Sequence, residues 1–287
     1  MDTLLFMLAP LLAALIYGGL QTYVGLHILT RGVIFVDLAL AQLATVGIAL
    51  AMLFGFEPVS LEASALGFAF TVAGAALFAW MRRIDERIVP HEALIGITYV
   101  VGSAAMILVL SGSPHGSENI KSLLVGAILW ITWPEIGWMA LIYGALAALH
   151  WIWRERFIAL SYNRPRERRH DTFWDFLFYL IFGVIVTSSV RTAGVLLVFS
   201  FLIIPAVMSA FFAKGLGARL LVAWALGALG SALGILISFQ IDLPTGAAIV
   251  CVYGLLLVLT LVWAYRPRTA RAGATRRGRS FHWGATP

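Results

Sequence analysis

The stretch VIFVDLALAQLATVG (33–47) is apolar except for Asp37, Gln42 and Thr45, and these are the residues on which chemistry could rest. A charged group inside a membrane-length apolar run is expensive to bury unpaired, so it marks a functional site by default. A carboxylate and an amide oxygen on one helix, with Thr45 one turn further on, suit a hard or borderline divalent cation in transit. The plainer reading is that Asp37, close to a helix end, pairs with Arg31 or reaches headgroup water.

The remaining candidates are weaker. Asp242 lies in DLPTG, where Asp, Pro, Thr and Gly make a turn and a helix start, so capping explains it as readily as contact with cargo. The six histidines never stand four apart, so no single helix carries a preformed zinc site. Cys251, the one cysteine, rules out a disulfide framework and a Cys-based metal site, and its expected role is packing. No GxxxxGK[ST] stretch, G-x-S-x-G elbow or HExxH motif occurs. The chain is therefore not expected to be an enzyme. Any use of ATP must come from another polypeptide, and no covalently bound cofactor is expected.

The elements that position these residues are membrane spans. Of the 287 residues 61% are hydrophobic and 12% charged, and the mean hydropathy is +0.93, which excludes a soluble class. The apolar runs are Leu4–Leu29, Val33–Phe54, Leu61–Met81, Ala93–Leu110, Ile136–Trp153, Phe173–Val190, Thr192–Ala213, Leu220–Phe239 and Gly246–Tyr265. Each approaches the roughly 20 residues a helix needs to cross a bilayer. Leu123–Trp133 would reach only about 16 Å as a helix, too short to span, and is expected to be re-entrant or interfacial.

The fold class that follows is all-α. It is a polytopic bundle of eight to nine transmembrane helices plus that short helix, with residues 1–265 forming the membrane domain. Residues 266–287 form a basic cytoplasmic tail with too little apolar surface to fold. The N-terminus carries Asp2 rather than a basic region, so the first segment is expected to stay in place.

With the N-terminus outside, one face collects all of the 20 Lys and Arg except Lys121 and Arg191. Positive loops stay in the cytoplasm, which puts the C-terminus inside. The net charge of +6 is thus topological, and no nucleic-acid partner is implied.

Two further features concern packing and coupling. Thr192–Ala213 carries no charge but contains Pro205, which removes a backbone donor, so the helix is expected to kink or break near Ile204 and Pro205. Ala206–Arg219 then reads as a bent exit to the cytoplasmic face, ending in Gly215 and Gly217, that could present a short helix to a soluble partner. Gly230 and Gly234 stand at GxxxG spacing, with Gly227 a turn earlier, and mark close helix packing within the chain or between copies.

Five stretches in order give the chain a family resemblance: LTRGVIFVDLALAQLATVG (29–47), EALIGITYVVG (92–102), HGSENIKSLLVGAIL (115–129), TAGVLLVFSFLIIPAVMSAFFA (192–213) and DLPTGAAIV (242–250). From Ala13 to about Leu257 the chain resembles the membrane permeases of zinc, manganese and iron ABC importers. The resemblance implies a homodimeric pore in the bacterial inner membrane, two cytoplasmic ABC ATPase subunits and an external metal-binding protein that delivers cargo. It also implies that Pro205, Ala206, Ala210, Lys214, Gly215 and Arg219 belong to the region that docks on the ATPase.

One position departs from the pattern. The family's second helix carries Asp and His four apart, whereas Gln42 stands here at the histidine position, Leu38 at the aspartate position, and Asp37 is displaced by one. At about 100° per residue, Asp37 and Gln42 lie roughly 140° apart, so they chelate jointly only if the helix distorts. That weakens zinc and leaves iron, manganese or a metal chelate. The rival function is a proton-coupled secondary transporter with Asp37 as relay; unequal segment spacing and the lack of a repeat between the halves argue against it.

Overall fold

The computed structural model of the chain describes residues 2–57, 60–111, 126–162 and 172–265. The loop with Lys121, the arginines at 164, 166, 168 and 169, and the tail from Arg266 lie outside these residues. Among the described residues ten α-helices follow one another: α1 (Asp2–Arg31), α2 (Val36–Leu53), α3 (Leu61–Met81), α4 (His91–Leu110), α5 (Trp133–Ile152), α6 (Arg154–Tyr162), α7 (Thr172–Ala193), α8 (Val195–Phe212), α9 (Leu216–Ile241) and α10 (Thr245–Ala264). Among the described residues nine of them, all but α6, are long and apolar enough to cross a membrane. This agrees with the bundle expected from the apolar runs.

Local chemistry sets the helix starts. Ser60 Oγ accepts the Ala63 N–H at 3.1 Å to cap α3. Thr132 and Glu135 form a capping box at α5, the Glu135 carboxylate accepting the Thr132 N–H at 2.7 Å.

The packing falls into two groups. In one, α2 lies between α3 and α4, and α3 packs on α7; in the other, α1, α8, α9 and α10 pack together with α5 against α1. The groups are joined covalently at the α7–α8 corner, where Gly194 turns the chain at φ +78°. The backbone of Gly126 and Ala127 rests on that corner. Ala127 N–H donates to Thr192 O at 2.8 Å, and a Cβ at Gly126 would come within 2.3 Å of the Ala193 carbonyl carbon. Only glycine fits there.

Two expectations change. In the part of Leu123–Trp133 that is described, the short helix shrinks to one 3-10 turn, Ile128–Trp130, ahead of α5, which already starts at Trp133. And α8 does not break at Pro205; it runs unbroken from Val195 to Phe212. The carbonyl that Pro205 leaves without a partner belongs to Phe201, and Thr22 Oγ1 on α1 donates to it at 3.0 Å. A hydroxyl from the next helix thus replaces the missing backbone donor, which is how membrane helices tolerate an internal proline.

Ala206–Arg219 is accordingly no separate short helix. It comprises the end of α8, a non-helical turn at 213–215 and the first turn of α9.

Candidate translocation site

Asp37 sits in the first turn of α2, 1% exposed, and neither carboxylate oxygen has a hydrogen-bond partner. Pairing with Arg31, the plainer expectation, does not occur. Arg31 Nη1 lies 2.9 Å from Asp175 Oδ1 on α7, Arg31 Nε donates to Ser161 Oγ on α6 at 3.1 Å, and the guanidinium stands 3.8 Å above the Phe178 ring. Headgroup water does not reach Asp37 either, since it is enclosed. The carboxylate shares a helical stripe with Leu40 and Ala44, and this stripe faces α3 and α7, where Leu40 occupies the space left by Gly74 and Gly183.

Gln42 points the other way. Its Cβ lies against Gly102 of α4, it is 4% exposed, and Oε1 has no partner. Thr45 is buried and directs its hydroxyl hydrogen to Ala41 O at 2.8 Å, leaving only lone pairs to offer. The structure therefore does not bring Asp37 and Gln42 together, in keeping with their angular offset on a regular helix. Among the described residues no group of three or more His, Cys, Asp or Glu could hold a metal ion.

Asp242 is exposed and forms the C-cap of α9 with φ 52°, the left-handed region. Asp37 lies in the first turn of α2, whereas Asp242 closes the C-terminal end of α9. Beneath it Ser238 Oγ and Thr245 Oγ1 bond at 2.7 Å and tie α9 to α10.

Of the residues expected to meet an ATPase, Pro205 and Ala206 are buried, while Ala210, Lys214 and Gly215 are exposed. Arg219 is half-buried and donates to Ala213 O at 3.3 Å, closing the turn. The exposed part is thus the 210–215 corner, not the whole stretch. Gly230 and Gly234 pack within the chain against α10, and Gly227 sits between Pro205 of α8 and Tyr253 of α10: a Cβ at Gly230 would come within 2.2 Å of the Tyr253 ring and one at Gly234 within 2.5 Å of Ile249 Cα. Tyr253 OH donates to Gly227 O at 2.8 Å across the same seam.

Two groupings escape a sequence reading. One is the knot of Arg31, Asp175, Ser161 and His27 at the C-terminal end of α1, where His27 Nδ1 lies 2.9 Å from Ser161 Oγ. Its only sequence trace is the spacing of Tyr23, His27 and Arg31 by fours on α1. The other is Glu92 on α4, whose Oε1 accepts the Phe35 N–H at 3.0 Å just ahead of α2.

Residues 3–264 match the profile of the ABC 3 transport family. The chain belongs to that family. Among relatives, the manganese import system permease protein ScaB of Streptococcus gordonii is 23% identical, with 92% of this chain and 93% of the relative covered. The chelated iron transport system membrane protein YfeD of Yersinia pestis is 25% identical over 90% of this chain and 85% of its own. The solved structure of PsaBC from Streptococcus pneumoniae in complex with Fab superposes with a TM-score of 0.70 at 21% identity, covering 89% of this chain and 91% of that one, and shares its fold.

Proposed function

We propose that this ABC 3 family chain is the membrane permease subunit of an ATP-driven importer for a divalent metal ion or metal chelate in the bacterial inner membrane. Relatives named for manganese and chelated iron, matched over nearly their whole length, support the cargo class. The observation that carries the reading is the match over residues 3–264 combined with a fully enclosed, partnerless carboxylate at Asp37 inside a membrane helix. Such a group is retained at a stability cost only where it meets cargo or a proton.

In this reading the chain pairs with a second copy, receives cargo from an external binding protein on the Asp242 side, and releases it on the Arg31 side. Two cytoplasmic ATPase subunits engage the exposed 210–215 corner, and their closure alternates the bundle between outward and inward arrangements. Gln42 contacts the cation on the α4 side of α2, with the lone pairs of Thr45 one turn on, and Asp37 acts separately from the opposite flank of that helix.

The test is uptake of radiolabelled manganese and iron by cells carrying this chain with and without a partner ABC ATPase. Uptake that requires the ATPase is expected. Uptake that persists without it and collapses with the proton gradient would instead favour a secondary transporter.

A further inference from the structure

Buried polar atoms without partners call for an explanation, and a bound ion or water is the usual one. Apart from Asp37, α2 and α4 hold three such oxygens: Gln42 Oε1, Glu92 Oε2 and Ser103 Oγ. The helices pack through a fully apolar stripe in which Val46 and Ala49 meet Met106 and Leu110. Beside that stripe α4 carries a second one. Glu92, Gly96, Tyr99 and Ser103, spaced by four, three and four, are all half-buried. Gly96 leaves room, since a Cβ there would meet nothing within 4 Å. Gln42 leans on Gly102, the neighbour of Ser103.

The geometry points to this flank of α4 as a second wall of the cation pathway, with Gln42 and Ser103 forming one station and the free oxygen of Glu92 the next. This rests on the permease reading above and extends it to residues on a helix that reading does not use. Glu92 and Ser103 lie about 16 Å apart along α4, too far for one coordination sphere but suited to successive weak sites of the kind conduction requires.

The Glu92 carboxylate is aimed by its other oxygen. Phe35 caps α2 with no side-chain hydrogen bond of its own, and Glu92 Oε1 supplies the acceptor from the neighbouring helix. The positive end of α2 favours a carboxylate there, and Oε2 is left for cargo. All three ligand atoms are oxygens, which select a hard cation such as Mn²⁺ over Zn²⁺ with its taste for nitrogen and sulfur. Asp37, roughly 140° from Gln42 around α2, is not a member of this row.

The test uses the full chain with its ATPase. Glu92→Gln keeps the acceptor for Phe35, so folded yield is expected to stay unchanged while Mn²⁺ uptake falls about tenfold, the equivalent of about 1.4 kcal/mol. In a Cys251→Ser background reconstituted in nanodiscs, Ser103→Cys is expected to react with a water-soluble methanethiosulfonate and to be protected by Mn²⁺. Ile97→Cys, on the outward face at 60% exposure, is expected to show no such protection. Normal uptake by Glu92→Gln together with unprotected or absent labelling at 103 overturns the proposal. If Asp37→Asn still abolishes uptake in those same cells, the permease reading survives that failure. If the unmodified chain with its ATPase moves no metal, both fall.

Discussion

Replacing Asp175 by Asn breaks the buried ion pair that joins α1 to α7. Arg31 and Asp175 have side chains 1% and 4% exposed and stand 2.9 Å apart, so solvent neither screens the pair nor replaces a lost partner. Asparagine preserves the shape and one acceptor but removes the negative charge that Asp175 sets 2.9 Å from the guanidinium. Removing one member of a buried pair costs about 3–5 kcal/mol. The Phe178 ring 3.8 Å below the guanidinium remains and keeps an attraction of about 2 kcal/mol, which places the expected loss near the lower bound, about 3 kcal/mol. The double variant Arg31→Met with Asp175→Leu removes both charges and returns to within about 1–2 kcal/mol of the parent, because apolar replacement of a buried pair is near neutral. Equilibrium unfolding in mixed detergent and SDS micelles, followed by tryptophan fluorescence, measures both. A loss under about 1 kcal/mol in the single variant, or strict additivity in the double one, would refute the assignment of this pair as a buried tether.

Three other outcomes follow from the same structure. Asp37→Asn removes a partnerless enclosed carboxylate, so the fold is expected to hold or gain stability in that assay while metal uptake is lost; a clear loss of stability would mean the charge is satisfied after all. Thr22→Val strips the donor from Phe201 O and should lower stability by about 1–3 kcal/mol, with much of it restored by adding Pro205→Ala, which returns a backbone N–H to that carbonyl. Lys214→Glu with Arg219→Glu should abolish co-purification with the ATPase without impairing membrane insertion; unchanged co-purification removes the 210–215 corner from the interface.

The spans are legible in the sequence because hydropathy and loop charge act locally. Each window of α2, α4 or α10 announces itself without reference to the others. Pairings at long range are not legible in this way. Arg31 and Asp175 are separated by 144 positions, and nothing near either one indicates that Arg31 turns to α7 and away from nearby Asp37. Pro205 illustrates the same limit. Its own helix predicts a break, and the reason none occurs is a hydroxyl on α1, 179 positions from the carbonyl it meets. At the candidate site the sequence identifies Asp37 and Gln42 and their offset, but not that they face different helices, nor that Glu92 on α4 caps α2.

The bond from Thr22 to Phe201 also sets how α8 flexes. An ordinary helix resists bending through its own ladder, whereas here one rung is supplied from outside, so the compliance of α8 at that level is set by how firmly α1 holds on. A pull at the 210–215 corner would strain this joint first, and letting go of Thr22 would free α8 to swing without undoing any bond internal to it.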